Sequence, residues 1–374
     1  MSKSKDFTTQ YLGDSTKLTN EYSYPNSKPA KETLSDTILL YSNQSIERDC
    51  LKSHMSVKIE HSSNGYSACV YGSSSQAEPY GRRLADFLDI GGIGYEAFQS
   101  AVAKRAWDPQ KGRFLLPLGL ALQEQLSVQL LHFPPDYTLD QQNYLGSKTS
   151  ERWETLLELN GVAQSDVTRY ETIVDLCPIA TSDTAGAQLT DTIPYFEDYA
   201  SKMLAFSLTP SGPAYSLPLV AYGSPARQWF SNTFLKKKPL DVCQCVTVSI
   251  NGGPPTPVLG ANHPSYIWSV AKSHPELAFT VVEQDLIAAR WQAHMGQHPK
   301  DDPQETLKEA TEYWKARPSE VNVLTQVQAF GKTAEEAKHS GHTLPATKDL
   351  EALSKHERSM QVNYAPPRTR KPPK

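Results

Sequence analysis

Apolar positions along this chain fall into two alternating patterns. Ser127-Val128-Gln129-Leu130-Leu131, Glu171-Thr172-Ile173-Val174-Asp175 and Leu217-Pro218-Leu219-Val220-Ala221-Tyr222 are short apolar runs that predict strands. Val242 to Ile250 and Val258 to Asn262 predict a fourth and a fifth. Between the strands lie stretches with helical spacing. Ser150 to Leu159 puts Trp153, Leu156 and Leu157 on one side and stops at Gly161; Tyr195 to Phe206 and Pro275 to His294 follow the same rule. Strands alternating with helices predict an α/β fold: a mainly parallel sheet of four to five strands, covered on both faces as a three-layer αβα sandwich. In such sheets functional loops lie beyond the carboxyl ends of the strands. Four loops occupy those places: Phe133-Pro134-Pro135-Asp136, Cys177-Pro178, Gly223-Ser224-Pro225-Ala226 and His263-Pro264-Ser265.

The flanks read differently. Residues 1–65 are rich in Ser, Thr, Asn and Lys, with one strand-like run, Thr37-Ile38-Leu39-Leu40-Tyr41, and predict a flexible arm. Residues 66–120 predict a helical extension of two short helices, carrying Leu84, Phe87, Leu88 and then Tyr95, Phe98, Val102, broken at Ile90-Gly91-Gly92-Ile93-Gly94. The core domain is expected over 121–296. In 297–374, Asp302 caps a charged helix with Pro303 in its first turn, and a disordered, basic, proline-rich tail runs from Pro366 to Lys374.

Composition narrows the function classes. The 374 residues are 39% hydrophobic, enough for a core, and contain no apolar run of membrane-spanning length. The first residues lack the apolar stretch of a secretory signal, and the five cysteines have no framework spacing, so reduced thiols and an intracellular place, nucleus or cytoplasm, are expected. Net charge is -4, and residues 122–300 hold 17 Asp and Glu against 11 Lys and Arg. Overall charge therefore does not favour nonspecific duplex binding, and any nucleic-acid contact must rest on local groups.

Four motifs in order carry a resemblance. They are His132-Phe133-Pro134-Pro135-Asp136-Tyr137; Ile173-Val174-Asp175-Leu176-Cys177-Pro178; Leu219-Val220-Ala221-Tyr222-Gly223-Ser224-Pro225-Ala226; and Gly260-Ala261-Asn262-His263-Pro264-Ser265-Tyr266-Ile267-Trp268 before the helix containing Val281-Val282-Glu283-Gln284-Asp285-Leu286. Together they resemble the uracil-DNA glycosylase superfamily over about 175 residues. The resemblance implies base flipping and hydrolysis of an N-glycosidic bond, with no cofactor and no metal. It implies that His263 donates a hydrogen bond to the base carbonyl, that Ser265 and Ser224 contact phosphates, and that Tyr266 or Ile267 fills the gap left in the duplex. Asp136 is the candidate for orienting water, and Phe133 and Tyr137 for stacking on the base. The implied partner is DNA, single- or double-stranded, with no membrane; the terminal extensions offer places for a protein partner.

The sequence departs from the family pattern twice. Asp175 stands where the family reads uracil with an asparagine; ionised, it offers acceptors only, which suits the N4 amine of cytosine better than O4 of uracil. Phe133 and Pro134 stand where a water-orienting acid or amide is expected, and Asp136 comes one residue late. These departures leave an alternative: a catalytically inactive protein of the same fold that binds nucleic acid or a protein partner. Lys236, Lys237 and Lys238 offer phosphate contacts or simply a solvated surface. A hydrolase built on Ser224 would lack the second glycine of a nucleophile elbow.

Overall fold

The computed structural model describes residues 8–12, 15–22, 56–62, 65–71, 74–114, 125–134, 148–170, 172–181, 187–210, 215–332 and 336. The run 37–41 and the basic tail lie outside them. The chain forms two compact units, one of Met1–Gln125, Phe133–Gln142 and Thr172–Ser211, the other of Leu126–His132, Asn143–Glu171 and Gly212–Lys374. The division is interleaved, whereas the sequence reading divides the chain into the consecutive segments 1–65, 66–120, 121–296 and 297–374; residues 126–132 supply a central strand to the second unit.

In the first unit, strands β1 (Thr8–Leu12), β2 (Ser15–Tyr22), β3 (Ser56–Ser62) and β4 (Gly65–Tyr71) make an antiparallel sheet of order β1-β2-β4-β3. Thr8–Leu12, Ser15–Tyr22 and Ser56–Ser62 thus form strands within the stretch expected to be an arm: ladder hydrogen bonds join backbone groups, so polar side chains do not prevent pairing. The 30-residue helix α1 (Ser74–Ala103) packs on β2 and β4. It runs unbroken through Ile90-Gly91-Gly92-Ile93-Gly94, where glycine content predicts a turn. At Gly94 the reason is close approach, since a Cβ there would lie 2.6 Å from Cδ2 of Tyr199 and 3.1 Å from Cε2 of Phe114. Tyr95, Phe98, Phe114 and Tyr199 complete an aromatic cluster, with Tyr95 and Phe114 edge to face at 5.6 Å. Gly94→Ala is expected to destabilise the protein by about 1–2 kcal/mol. Overpacking at a fully buried ring costs roughly 1–3 kcal/mol and exceeds the ~1 kcal/mol that alanine gains in a helix. A denaturant midpoint unchanged or raised in this variant would contradict the close approach.

Also in the first unit are β5 (Gly112–Phe114), β7 (Thr172–Asp175) and β8 (Ile179–Thr181), with β5 antiparallel to β8, and α4 (Ile193–Leu208), which packs on α1 and β7. The second unit holds β6 (Val128–Leu131), β9 (Leu219–Tyr222), β10 (Cys245–Ser249) and β11 (Pro255–Ala261). Its helices are α2 (Lys148–Glu158), α3 (Gln164–Val167), α5 (Gly223–Phe234), α6 (Tyr266–Ser273), α7 (Ala278–Gln297), α8 (Pro303–Lys315) and α9 (Pro318–Phe330).

The fold is mixed α/β with a five-stranded, mostly parallel sheet of order β10-β11-β9-β6-β7. β11 and β6 both run parallel to β9, and β10 closes one edge as an antiparallel hairpin with β11. Every residue of β6 and β9 is buried, as befits central strands, with the one polar side chain, Gln129 of β6, donating Nε2 to the Tyr170 carbonyl at 3.0 Å, whereas β10 alternates exposed and covered positions as an edge strand does. In the second unit α5 lies against β6, β9 and β11, while α7 packs on β11 and α2.

Asp302 caps α8 as predicted, accepting from the amides of Gln304 and Glu305 at 2.8 and 3.0 Å. The charged helix is nevertheless part of the second unit. Trp314 Nε1 donates to Asn160 at 3.0 Å, Gln304 Nε2 to the Cys245 carbonyl, and Trp291 Nε1 to the Pro303 carbonyl. Its mean composition hid one apolar stripe, Thr306, Ala310 and Trp314, at helical spacing. Among the described residues no helix is long and apolar enough to cross a membrane.

Candidate active site

Three parallel strands of the second unit end level with one another. Ala221 of β9 pairs with Leu130 of β6 on one side and Gly260 of β11 on the other. The residues that follow therefore emerge along one sheet edge: His132 after β6, Gly223-Ser224 after β9, and Asn262-His263-Pro264-Ser265 after β11. This is where an open parallel sheet presents its loops. Gly223 has φ +80, and a Cβ there would sit 3.2 Å from Cβ of His263, so the middle strand gives way to its neighbour's histidine.

The hydrogen bonds of His263 specify its tautomer. Nδ1 accepts from the Ser265 amide at 3.2 Å and lies 2.7 Å from Ser265 Oγ. An amide can only donate, so Nδ1 is an acceptor and the neutral ring carries its hydrogen on Nε2. Ser265 stands at the N-cap of α6 but makes no side-chain cap to that helix; its hydroxyl is turned to the histidine. Burial, with the Arg152 guanidinium nearby, pushes the His263 pKa down to about 4. At neutral pH the ring is thus an uncharged Nε2–H donor.

The loop around this histidine is held by a buried ion pair. Arg152, from α2, donates Nη1 to the Pro264 carbonyl at 2.9 Å and Nη2 to Asp285 Oδ2 of α7 at 2.7 Å. The other oxygen of Asp285 accepts from Asn262 Nδ2 at 3.2 Å, and Asn262 also donates to Gln284 Oε1 at 3.0 Å. The residues on both sides of His263 are therefore tied to one pair, whose members are 6% and 5% exposed. Burial raises the Asp285 pKa even though Arg152 and Asn262 pull it down, the mark of an ion pair kept dry. Behind it Trp153 Nε1 donates to the Tyr222 hydroxyl at 3.2 Å, Tyr222 donates to Gln292 Oε1 at 2.9 Å, and Gln292 Nε2 donates to Ser127 Oγ at 2.8 Å. That chain braces α2, β9 and α7 against the start of β6.

His132 is half-buried, and burial, then the proximity of His263, pushes its pKa down to about 4. Two neutral imidazoles thus share the sheet edge. Of the other predicted residues, Ser224 lies half-buried in the first turn of α5 and Phe133 half-buried directly after His132. Tyr266 is 8% exposed and Ile267 0%, so neither side chain is presented for filling a gap in a duplex: both positions face inward at the start of α6. Lys236, Lys237 and Lys238 are exposed, but they follow the far end of α5, about 18 Å along that helix from Gly223. Lys236 and Lys237 have φ 51 and 66, and the Lys237 amide bonds the Ser231 carbonyl, so the run terminates the helix. Asp136 and Tyr137 lie outside the described residues.

In the first unit Asp175 ends β7, 5% exposed, and its Oδ1 has no hydrogen-bond partner among the described residues. Burial pushes its pKa up to about 8. Its carboxyl in turn raises the Tyr199 and Cys177 groups, both already raised by burial, and the Thr192 hydroxyl contacts Cys177 Sγ at 3.5 Å.

Sequence reasoning missed His132, Arg152, Asn262 and Asp285 as site residues. A signal for two of them existed. Arg152 lies one helical turn before Leu156, and Asp285 has Val281, Val282, Ala288 and Ala289 three and four residues away, so each places a charge on a stripe that is otherwise buried. No protein-family model matches this chain, and no curated protein is significantly similar to it in sequence.

Proposed function

We propose that this chain is a uracil-DNA glycosylase-like protein, of three-layer αβα build, that hydrolyses the N-glycosidic bond of a deaminated or damaged base in DNA. The observation that carries this reading is the neutral Nε2–H of His263, held by Ser265 at the edge of a parallel sheet. When the bond to the base breaks, the electron pair stays on the base and spreads to its carbonyl oxygens. A fixed, uncharged, half-buried donor stabilises that charge without a proton having to move. The low pKa supports the role, because an imidazole uncharged before the reaction gains most from an anion that appears during it.

Burial also changes the reading of Asp175. With its pKa up to about 8, the carboxyl is protonated at neutral pH. A protonated carboxyl has one O–H donor and one carbonyl acceptor, the complement of O4 and N3–H of uracil, so the objection raised by an ionised aspartate does not apply. Ser265 and Ser224, with the first amides of α6 and α5, are the proposed phosphate contacts, and the exposed lysines after α5 contact the backbone further away. The inward-facing Tyr266 and Ile267 favour a second reading, in which the fold binds a base-sized ligand without excising it.

Alkali cleavage of labelled oligonucleotides carrying one uracil, hypoxanthine, xanthine, mismatched thymine or cytosine separates the two. Wild-type protein is expected to make abasic sites, and His263→Ala to lower the rate by about 10²–10³. No product on any substrate from folded wild-type protein would leave the binding role.

A further inference from the structure

Helix α7 ends at Gln297 with His298 as its C-cap, and its last turn carries His294 four residues earlier. Side chains at that spacing are neighbours on one face of a helix. Pro299 has no amide hydrogen to continue the helix, so the chain turns there. The His298 amide bonds the His294 carbonyl at 2.8 Å, and the Asp301 amide bonds the His298 carbonyl at 3.1 Å. That turn returns the Asp301 carboxylate to the first histidine, with Oδ2 2.8 Å from His294 Nε2. The two imidazole rings lie with centroids 4.8 Å apart, their planes tilted by 44°. All three side chains reach solvent: those of His294 and Asp301 are 38% and 52% exposed, and His298 is exposed.

We propose that His294 and His298 are the two protein ligands of a surface site for a divalent transition-metal ion, with Asp301 orienting His294 from behind. A carboxylate accepts, so a neutral His294 ring carries its hydrogen on Nε2 and keeps its lone pair on Nδ1. Ligating histidines are commonly held this way, the carboxylate fixing the tautomer and making the ring a stronger donor. The ring spacing fits as well. A metal–nitrogen bond of about 2.0–2.1 Å puts each ring centre about 3.2 Å from the ion, and angles of about 90–110° between two such bonds put the centres about 4.5–5.3 Å apart. The observed 4.8 Å falls inside that range. The negative end of the α7 dipole favours a cation at the same place. Among the described residues no three His, Cys, Asp or Glu side chains are grouped to hold an ion, so the site has two nitrogens and leaves its other positions to water. Imidazole ligands select copper, nickel and zinc over magnesium and calcium. The site is independent of the glycosylase reading: His294 is nine residues past Asp285, about 13 Å along α7.

The test is calorimetric titration of the full chain with Cu²⁺, Ni²⁺ and Zn²⁺, with Mg²⁺ and Ca²⁺ as hard-cation controls. The variants are His294→Ala, His298→Ala, Asp301→Asn and, as a control, His274→Ala. His274 also lies beside a carboxylate, Glu276 at 3.3 Å, but has no histidine four residues away. Wild type is expected to bind the transition ions, Cu²⁺ most tightly, and neither hard cation. Each of the two histidine variants is expected to lose about tenfold or more in affinity and Asp301→Asn about tenfold, while His274→Ala keeps the wild-type value. Electron paramagnetic resonance of the Cu²⁺ complex should show two coupled imidazole nitrogens in wild type and one in each of these histidine variants. Melting curves confirm that each variant is folded. No transition ion bound by folded wild type would overturn the site, and so would a Cu²⁺ affinity and spectrum unchanged in His294→Ala and His298→Ala. An affinity unchanged in Asp301→Asn alone would overturn the orienting role of Asp301.

Discussion

Arg152→Met is expected to lower stability by about 3–5 kcal/mol, among the largest losses of any single change in the second unit. The substitution keeps most of the side-chain volume and removes the guanidinium. Asp285, 5% exposed, then faces the interior with one amide partner and no countercharge. The Pro264 carbonyl loses its donor as well, so the loop carrying His263 is released from α2 at the same time. The sign of the pH effect follows from Asp285. Burial already raises its folded pKa above the unfolded value, and loss of Arg152 raises it further. A carboxyl of that kind contributes stability present below its unfolded pKa and lost as pH rises through the folded one, so the deficit of the variant should be smallest in acid. Adding Asp285→Leu to Arg152→Met is expected to recover much of the loss, because the stranded charge goes with it and a packed apolar pair is often no worse than a buried ion pair. Urea unfolding of the two single variants and the double variant reads the coupling. A loss below about 1 kcal/mol for Arg152→Met would mean that water reaches the pair.

Asp175→Asn works in the opposite direction. It is expected to stabilise the protein by about 4 kcal/mol at pH 7 and hardly at all below pH 4. The folded carboxyl keeps its proton to about pH 8, whereas the unfolded one releases it near 3.8. Between those values each pH unit favours the unfolded chain by about 1.4 kcal/mol, since only the unfolded state ionises. An asparagine has no proton to release, so the variant's stability should stay level where the wild type declines. The same substitution keeps one donor and one acceptor at the end of β7. On the glycosylase reading proposed above, base excision by the variant is expected to persist above pH 8, where wild-type activity would fall as Asp175 ionises. Unfolding curves at pH 4, 7 and 8.5 decide the first point. Parallel pH profiles for wild type and variant would show that Asp175 is ionised throughout and paired in the protein.

The strands were legible because burial on both faces leaves a local mark. β6, β7 and β9 are short, mostly apolar runs, and the structure places each within a residue or two of its predicted span. Capping was legible for the same reason: Asp302 meets amides two and three residues away, so its whole interaction lies inside one short window of sequence. The glycine run at 90–94 shows the limit of local reading. Propensity sees only the cost of glycine in a helix, while the benefit at Gly94 comes from Tyr199, more than a hundred residues later.

The candidate site divides along that line. Sequence alone determined that His263, Pro264 and Ser265 follow an apolar strand, and strand alternation alone put that loop at a carboxyl edge. It also determined that the mean charge is acidic, leaving any recognition to single placed groups. Tertiary structure decided everything about the state of those groups. Burial and the nearby Arg152 guanidinium push the His263 pKa down, and burial pushes that of Asp175 up. Arg152 and Asp285 are partners across 133 residues of sequence. Periodicity reports that a face is covered, but a pKa or an ion pair depends on what covers it, and chain folding alone brings those groups together.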